Sequence, residues 1–240
     1  MLTQAPRAAE RAAVTIARAE PGDYEALSRF HYRAGHPAPP VLTLAARNDG
    51  ALAGVLVVSM PVLNGPWRRS LWPDVFASPA GHGERARAVN ALVRTISRVT
   101  IDPRYRAMGI AAALVRAYLQ SPLTRFTEAI AAAGAWTPLF AAAGMRALPM
   151  PPSRRDERLA GELRRLGVAA WTLVEISCAA RQMRRAALRA AIERWARDGK
   201  GSRRMLTDGT APWELAVKAA ASLLSRPTAY GFEHGRDQVG

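Results

Sequence analysis

Residues 41–63, VLTLAARNDGALAGVLVVSMPVL, constrain the fold more than any other stretch. Two runs of β-forming residues flank Asn48, Asp49 and Gly50. An Asp-Gly step tolerates the positive φ that a tight hairpin turn demands, so the run predicts two adjacent antiparallel strands.

The neighbouring segments alternate in type. Residues 12–35 predict a short strand near Val14 to Ala17, a turn at Pro21 and Gly22, and a helix from about Asp23. Asp23 reads as its N-cap, and Tyr24, Leu27 and Phe30 recur at helical spacing. Asn64 to Gly83, rich in Pro, Gly and Trp, reads as a long surface excursion. Its Trp67 and Trp72, beside Arg68 and Arg69, either stack on a base or substrate ring or cover a core edge. ERARAVNALVRTI, residues 84–96, is helical; Ile96 to Ile101 is a strand; Ile110 to Leu119 is a helix. RFTEAIAAAG then predicts a strand, AWTPLFAAAGM a short helix ending near Gly144, and RALPMPP an extended piece. This order predicts an α/β fold, a mixed central sheet flanked by helices.

Pro149, Pro151 and Pro152, followed by the charged SRRDERLAGELRR, mark a boundary. Residues 1–150 form the first predicted domain, and 151–240 a mainly helical, basic C-terminal extension. Its helices are expected over Leu159 to Leu166, Ala170 to Ala196 and Pro212 to Leu224, with residues 227–233 returning one short strand to the sheet.

Composition sets the outer limits. In 240 residues, 49% hydrophobic and 22% charged, no apolar run approaches the roughly 20 residues of a membrane span, and residues 1–20, with arginines but no continuous apolar segment, do not read as a secretory signal. A cytoplasmic protein with no membrane partner is expected. Cys178, the lone cysteine, can form no internal disulfide and should pack as a small apolar side chain. The net charge of +15 invites a nucleic-acid partner. Arginine dominates it, however, with Lys200 and Lys218 the only lysines, and abundant arginine and alanine are also what a GC-rich coding sequence gives. The strongly basic stretch Arg181 to Arg197 is either a solvated helix face or a contact for nucleic acid or an acidic partner. No metal site is expected, since His36 and His82 lack ligand spacing. Ser97 has no nucleophile elbow around it, and no Walker motif occurs.

Ser97 to Leu119, SRVTIDPRYRAMGIAAALVRAYL, carries the chemistry: strand, polar turn, helix. Arg106-Ala107-Met108-Gly109-Ile110-Ala111 fits R/Q-x-x-G-x-G/A and, with the flanking strand and helix, resembles the core motif of the GNAT superfamily of N-acetyltransferases. The resemblance covers about residues 12–150, including AWTPLFAAAGM as the family's fourth helix. It implies transfer of acetyl from acetyl-CoA, as co-substrate, to an amine. Backbone N–H groups at a helix N-terminus suit a pyrophosphate, glycine permits close approach, and arginine adds charge. The implied cofactor-binding residues are Val99 and Ile101, whose strand backbone would polarise the thioester, with Arg106, Met108, Gly109, Ile110 and Ala111.

A narrower resemblance joins FHYRAGHPA and TISRVTIDPRYRAMGIAAALVRAYL to the acetyltransferase-type domain fused to some ABC ATPases and, more distantly, to phage Mom DNA-modification proteins. It implies His31, Tyr32, Ser97 and Arg98 as cleft residues. The fourth-helix tyrosine that serves many members as general acid is missing: Trp136 and Phe140 stand there. Glu128 is the carboxylate candidate for the base, or else a charge-paired residue, followed by Tyr32 and His31. Mom-like modification of a nucleic-acid base and a non-catalytic CoA- or nucleic-acid-binding module are the alternatives to an acetyltransferase.

Overall fold

The computed structural model describes residues 14–31, 38–77, 81–132, 138–225 and 227–235. The described residues divide into two compact units, one running to Leu148 and resuming at Thr228, the other Pro149–Pro227.

The first unit is built on a mixed seven-stranded sheet in the order β1-β2-β3-β4-β5-β7-β6. Its strands are β1 (Val14–Arg18), β2 (Pro40–Asn48), β3 (Ala51–Ser59), β4 (Val93–Ile101), β5 (Phe126–Ala131), β6 (Arg146–Pro149) and β7 (Thr228–Glu233). The hairpin is present as expected: β2 and β3 pair antiparallel around Asp49 (φ 50°) and Gly50 (φ 80°), two successive left-handed residues that match the strands' twist. β7 pairs antiparallel with β5.

Helices cover both faces. On one, α1 (Asp23–Ser28) packs Leu27 against Ala45 and Val55. On the same side α2 (Arg68–Leu71) and α3 (Pro73–Phe76) bring Trp72 and Phe76 onto Phe126, with ring centroids 4.7 and 5.8 Å apart, and α4 (His82–Leu92) leads into β4. On the other face α5 (Ile110–Gln120) and α6 (Leu139–Ala142) bury Ile110, Leu114, Val115 and Phe140 against Leu56, Val58, Ile96 and Ala129. Gly54 allows this closeness, since a Cβ there would lie 2.5 Å from the Ile101 side chain and 3.3 Å from that of Leu114.

Several expectations change. Asp23 is the first helical residue, not the cap; Gly22 holds that place at φ 92°, while the Asp23 carboxylate accepts from Glu20 N and Arg47. The excursion at 64–83 is not purely surface: it buries Arg68, Leu71, Trp72 and Phe76. Val93 to Ile96, taken as a helix end, begins β4, because strand pairing with β3 and β5 outweighs the apolar periodicity of a short run.

The second unit is helical: α7 (Arg154–Arg165), α8 (Ile176–Gln182), α9 (Ala186–Arg197), α10 (Lys200–Thr207) and α11 (Pro212–Leu224), with a 3-10 turn over Ala170–Leu173. Leu159, Leu163, Leu173, Leu188, Ile192, Trp195 and Leu215 form its core. The continuous helix expected over 170–196 is broken at Glu175, which caps α8, and at Arg184 and Arg185.

Candidate functional site

β4 and β5 run parallel but pair only from Val93↔Phe126 to Ile96↔Ala129. Beyond that point β4 stays on β3 through Ile101↔Gly54, while β5 stays on β7 through Ala131↔Thr228. The sheet therefore opens in its middle. Ile130, the first β5 residue past the last pair with β4, is 37% exposed. The strands part at a β-bulge, where Arg98 pairs with Val57 and Ile96 with Val58, leaving Ser97 as the extra residue. Past the bulge, Asp102 N donates to Ala53 O (3.0 Å) on the β3 side. Alternation along an antiparallel ladder puts Thr100 on that side too, and turns the N–H groups of Val99 and Ile101 toward the opening.

The loop at the end of β4 is shaped by its own residues. The buried Asp102 carboxylate accepts from Arg104 N, Nε and Nη2 at 2.9, 3.1 and 2.9 Å. Those bonds, with the charges of Arg104 and Arg29, hold its pKa below the usual carboxylate value. Arg104, though its side chain is 73% exposed, is thus the clamp of this turn. Ala107 (φ 62°) and Gly109 (φ 80°) then take left-handed conformations on either side of Met108. The first N–H groups of α5 have no side-chain cap from Gly109, so with the turn's own N–H groups they offer donors of the kind that bind anions. A Cβ at Gly109 would meet nothing within 4 Å, so the space in front of the loop is open. Arg106 is exposed, and its Nε donates to Ile101 O (3.4 Å), which folds the guanidinium back over the end of β4.

The structure brings Val99, Ile101, Arg106, Met108, Gly109, Ile110 and Ala111 to one end of the opening and Ser97 to its apex. The Ser97 hydroxyl lies 2.7 Å from Ser59 Oγ and donates to Val57 O (3.2 Å), which pins the bulge. Arg98 is buried, its Nη1 donating to Ser97 O (2.8 Å). His31 is half-buried just beyond α1. Leu27 of α1 packs on Val55, which pairs with Thr100, so α1 lies beside the C-terminal half of β4. Tyr32, His36 and Trp136 lie outside the described residues. Phe140 is buried against the Tyr230 ring, centroids 5.1 Å apart.

Glu128 is fully buried and saturated. Oε1 accepts from Arg68 Nη2 (2.6 Å) and Thr95 Oγ1 (2.8 Å), and Oε2 from Trp67 Nε1 (2.7 Å) and Arg68 Nε (2.9 Å). Four donors fill the capacity of a carboxylate, so of its two sequence readings the geometry fits the charge-paired one. Trp67 and Trp72, candidates for stacking on a base, are instead committed to Glu128 and to the core. Arg68 and Thr95 were not singled out by sequence: a buried arginine inside a Pro/Trp-rich loop reads as solvated until its carboxylate partner is known. Cys178 also departs from expectation, being only half-buried with Arg181 Nη2 3.3 Å from its sulfur.

No protein-family model matches the chain, and no curated protein is similar to it. Among solved structures, the apo form of a mutant agmatine N-acetyltransferase is similar over 57% of this chain and 84% of that one, at 13% identity and a TM-score of 0.35.

Proposed function

We propose that the first unit is an acyl-CoA-dependent N-acyltransferase that takes acetyl from acetyl-CoA to an amine. The parting of β4 and β5 directly beside the Ala107–Gly109 loop is the observation that carries this reading. An extended thioester arm needs a slot with backbone donors along one wall and an anion cradle at its end. The open strand edge supplies the first and the loop with the start of α5 the second.

In this reading the N–H groups of Val99 and Ile101 donate to the thioester oxygen and hold the negative charge that builds on it. The amine nitrogen bonds to the carbonyl carbon, the carbon–sulfur bond breaks, and the amine's surplus proton ends on the released thiol. His31, just beyond the helix that lies beside β4, is the base candidate among described residues; Glu128 holds the excursion over the sheet instead. Met108, 56% exposed at the crest of the loop, would cover the pyrophosphate arm. The protein would act in the cytoplasm, where acetyl-CoA is made available to soluble enzymes. No helix among the described residues is long and apolar enough to cross a membrane.

An amine on a nucleic-acid base is the second acceptor reading, favoured by residues 149–227, where sixteen arginines and lysines face eight acids. Calorimetry with acetyl-CoA tests the main reading: saturable binding at micromolar to millimolar ligand, lost in Gly109→Glu with the fold intact, is expected. Equal affinity of the variant and the wild type would overturn it.

A further inference from the structure

The basic charge of the second unit is unevenly answered. Along α9, Arg189 and Arg197 pair with Glu193 (3.0 and 3.5 Å) and Arg194 with Glu162 (2.5 Å). Arg158 pairs with Asp198 (2.5 Å) and Arg204 with Asp208 (3.2 Å). The face expected to be most basic is therefore largely neutralised over α9. The surplus lies in residues 164–185, where Arg164, Arg165, Arg181, Arg184 and Arg185 stand with one acid, Glu175. That carboxylate is spent on the N-terminus of α8, accepting from Ser177 N (2.9 Å), Ser177 Oγ (2.7 Å) and Cys178 N (2.7 Å). Arg185 Nη2 donates to Leu166 O (2.9 Å), so the turn before α9 meets the end of α7 and the two arginine groups close into one patch.

Between the two arginine groups in sequence lies an exposed ring. Trp171 is 70% exposed on the 3-10 turn, whereas Trp72 and Trp195 are buried and Trp67 is bonded to Glu128. In a 3-10 turn residues three apart share a face, so Val174, also exposed, stands beside Trp171, and exposed Ile176 follows. The apolar exposure is confined to one turn instead of running along a helix. That suits a ring-sized platform better than a face lying in a bilayer.

We infer that residues 164–185 form a binding surface for single-stranded nucleic acid, with Trp171 stacking on a base and the arginines that flank it in sequence contacting phosphates. Guanidinium forks match phosphate oxygens, and base faces are apolar, as Trp171 and Val174 require. The strand must be single because in a duplex neighbouring pairs cover those faces. The inference is independent of acyl transfer, since it uses no residue of the first unit.

The test is fluorescence anisotropy of the full chain with a labelled oligothymidylate of about twenty nucleotides, long enough for several stacking sites. Trp171→Ala should weaken binding about tenfold, as loss of one stacked base does, while Trp171→Phe should keep most of it. Arg184→Ala with Arg185→Ala should weaken it further and reduce the slope of log affinity against log salt by about two. Because Trp171 is exposed, circular dichroism of its variants should match the wild type. Unchanged affinity in Trp171→Ala, equally tight binding of a duplex of the same length, or binding to phosphatidylglycerol vesicles without binding to the oligonucleotide would each overturn the inference.

Discussion

Arg68 and Glu128, 60 residues apart in sequence, face each other in the interior of the first unit through two hydrogen bonds of 2.6 and 2.9 Å. Arg68 Nη2 also donates to Val62 O (2.7 Å) and Nη1 to Leu63 O (3.3 Å), so one guanidinium ties the end of the β3 excursion to the middle of β5. Removing one member of such a pair leaves the other charged, buried and without its counter-ion. Arg68→Met should cost about 3–5 kcal/mol of unfolding free energy in urea titrations. The double change Arg68→Met with Glu128→Met should recover a large part of that loss; a double variant as unstable as the single one would show that the pair's geometry, and not its charge, is what the fold needs.

The loop after β4 makes a second prediction. Ala107 holds φ at 62°, where an L-residue with a Cβ is strained by about 1–2 kcal/mol. Ala107→Gly relieves this but adds about 0.5–1 kcal/mol of unfolded-chain entropy, so stability should rise by at most about 1.5 kcal/mol. Acetyl-CoA affinity should fall at the same time, because the loop loses its fixed shape; calorimetry of the variant checks both signs.

His234 gives the pH dependence. Its ring is buried beside Phe232, with Nε2 3.0 Å from Thr127 Oγ1, and burial pushes its pKa below the ordinary 6.5. Between the folded and unfolded values the unfolded chain takes up a proton that the folded chain refuses. The first unit should therefore keep its full stability above pH 6.5 and lose it progressively as pH falls below that value. Thermal melts from pH 7.5 to 5 should show this slope, and His234→Gln should flatten it.

Glu175 acts at a lower pH. Hydrogen bonds from Ser177 and Cys178 hold its pKa down to about 2 from an ordinary 4.5. Its contribution to α8 is thus complete above pH 4.5 and is lost as pH drops toward 2. At neutral pH Glu175→Ala should fray the start of α8, seen as faster amide exchange at Ser177 and Cys178, while leaving exchange in α9 unchanged.

The parts of the fold that were legible in the sequence are those fixed by local chemistry. Asp49-Gly50 announced the hairpin, and Arg106 to Ala111 announced a strand–loop–helix, because turn residues and helix starts are written in neighbouring positions. What stayed hidden depended on pairing between distant segments. The β4 register, and with it the bulge at Ser97 and the opening after Ile96, follows from how β3 and β5 compete for one strand. Glu128 illustrates the same limit: only the folded chain brings Trp67, Arg68 and Thr95 around it. The neutralised α9 and the surplus around Trp171 likewise required knowing which acid meets which arginine across helices.

β7 completes the sheet between β5 and β6 only after the whole helical unit has been traversed. During synthesis β5 would therefore wait on the ribosome, one edge bare, while the 96 residues between Ala131 and Thr228 emerge, most of them the helical unit with its own core. Bare edges of that kind invite pairing with other chains. Early self-assembly of α7 to α11 would shorten the hazard by closing the unit's own ends, where Met150 N donates to Pro227 O (3.0 Å), so the helical unit doubles as a folding spacer in the chain between β6 and β7.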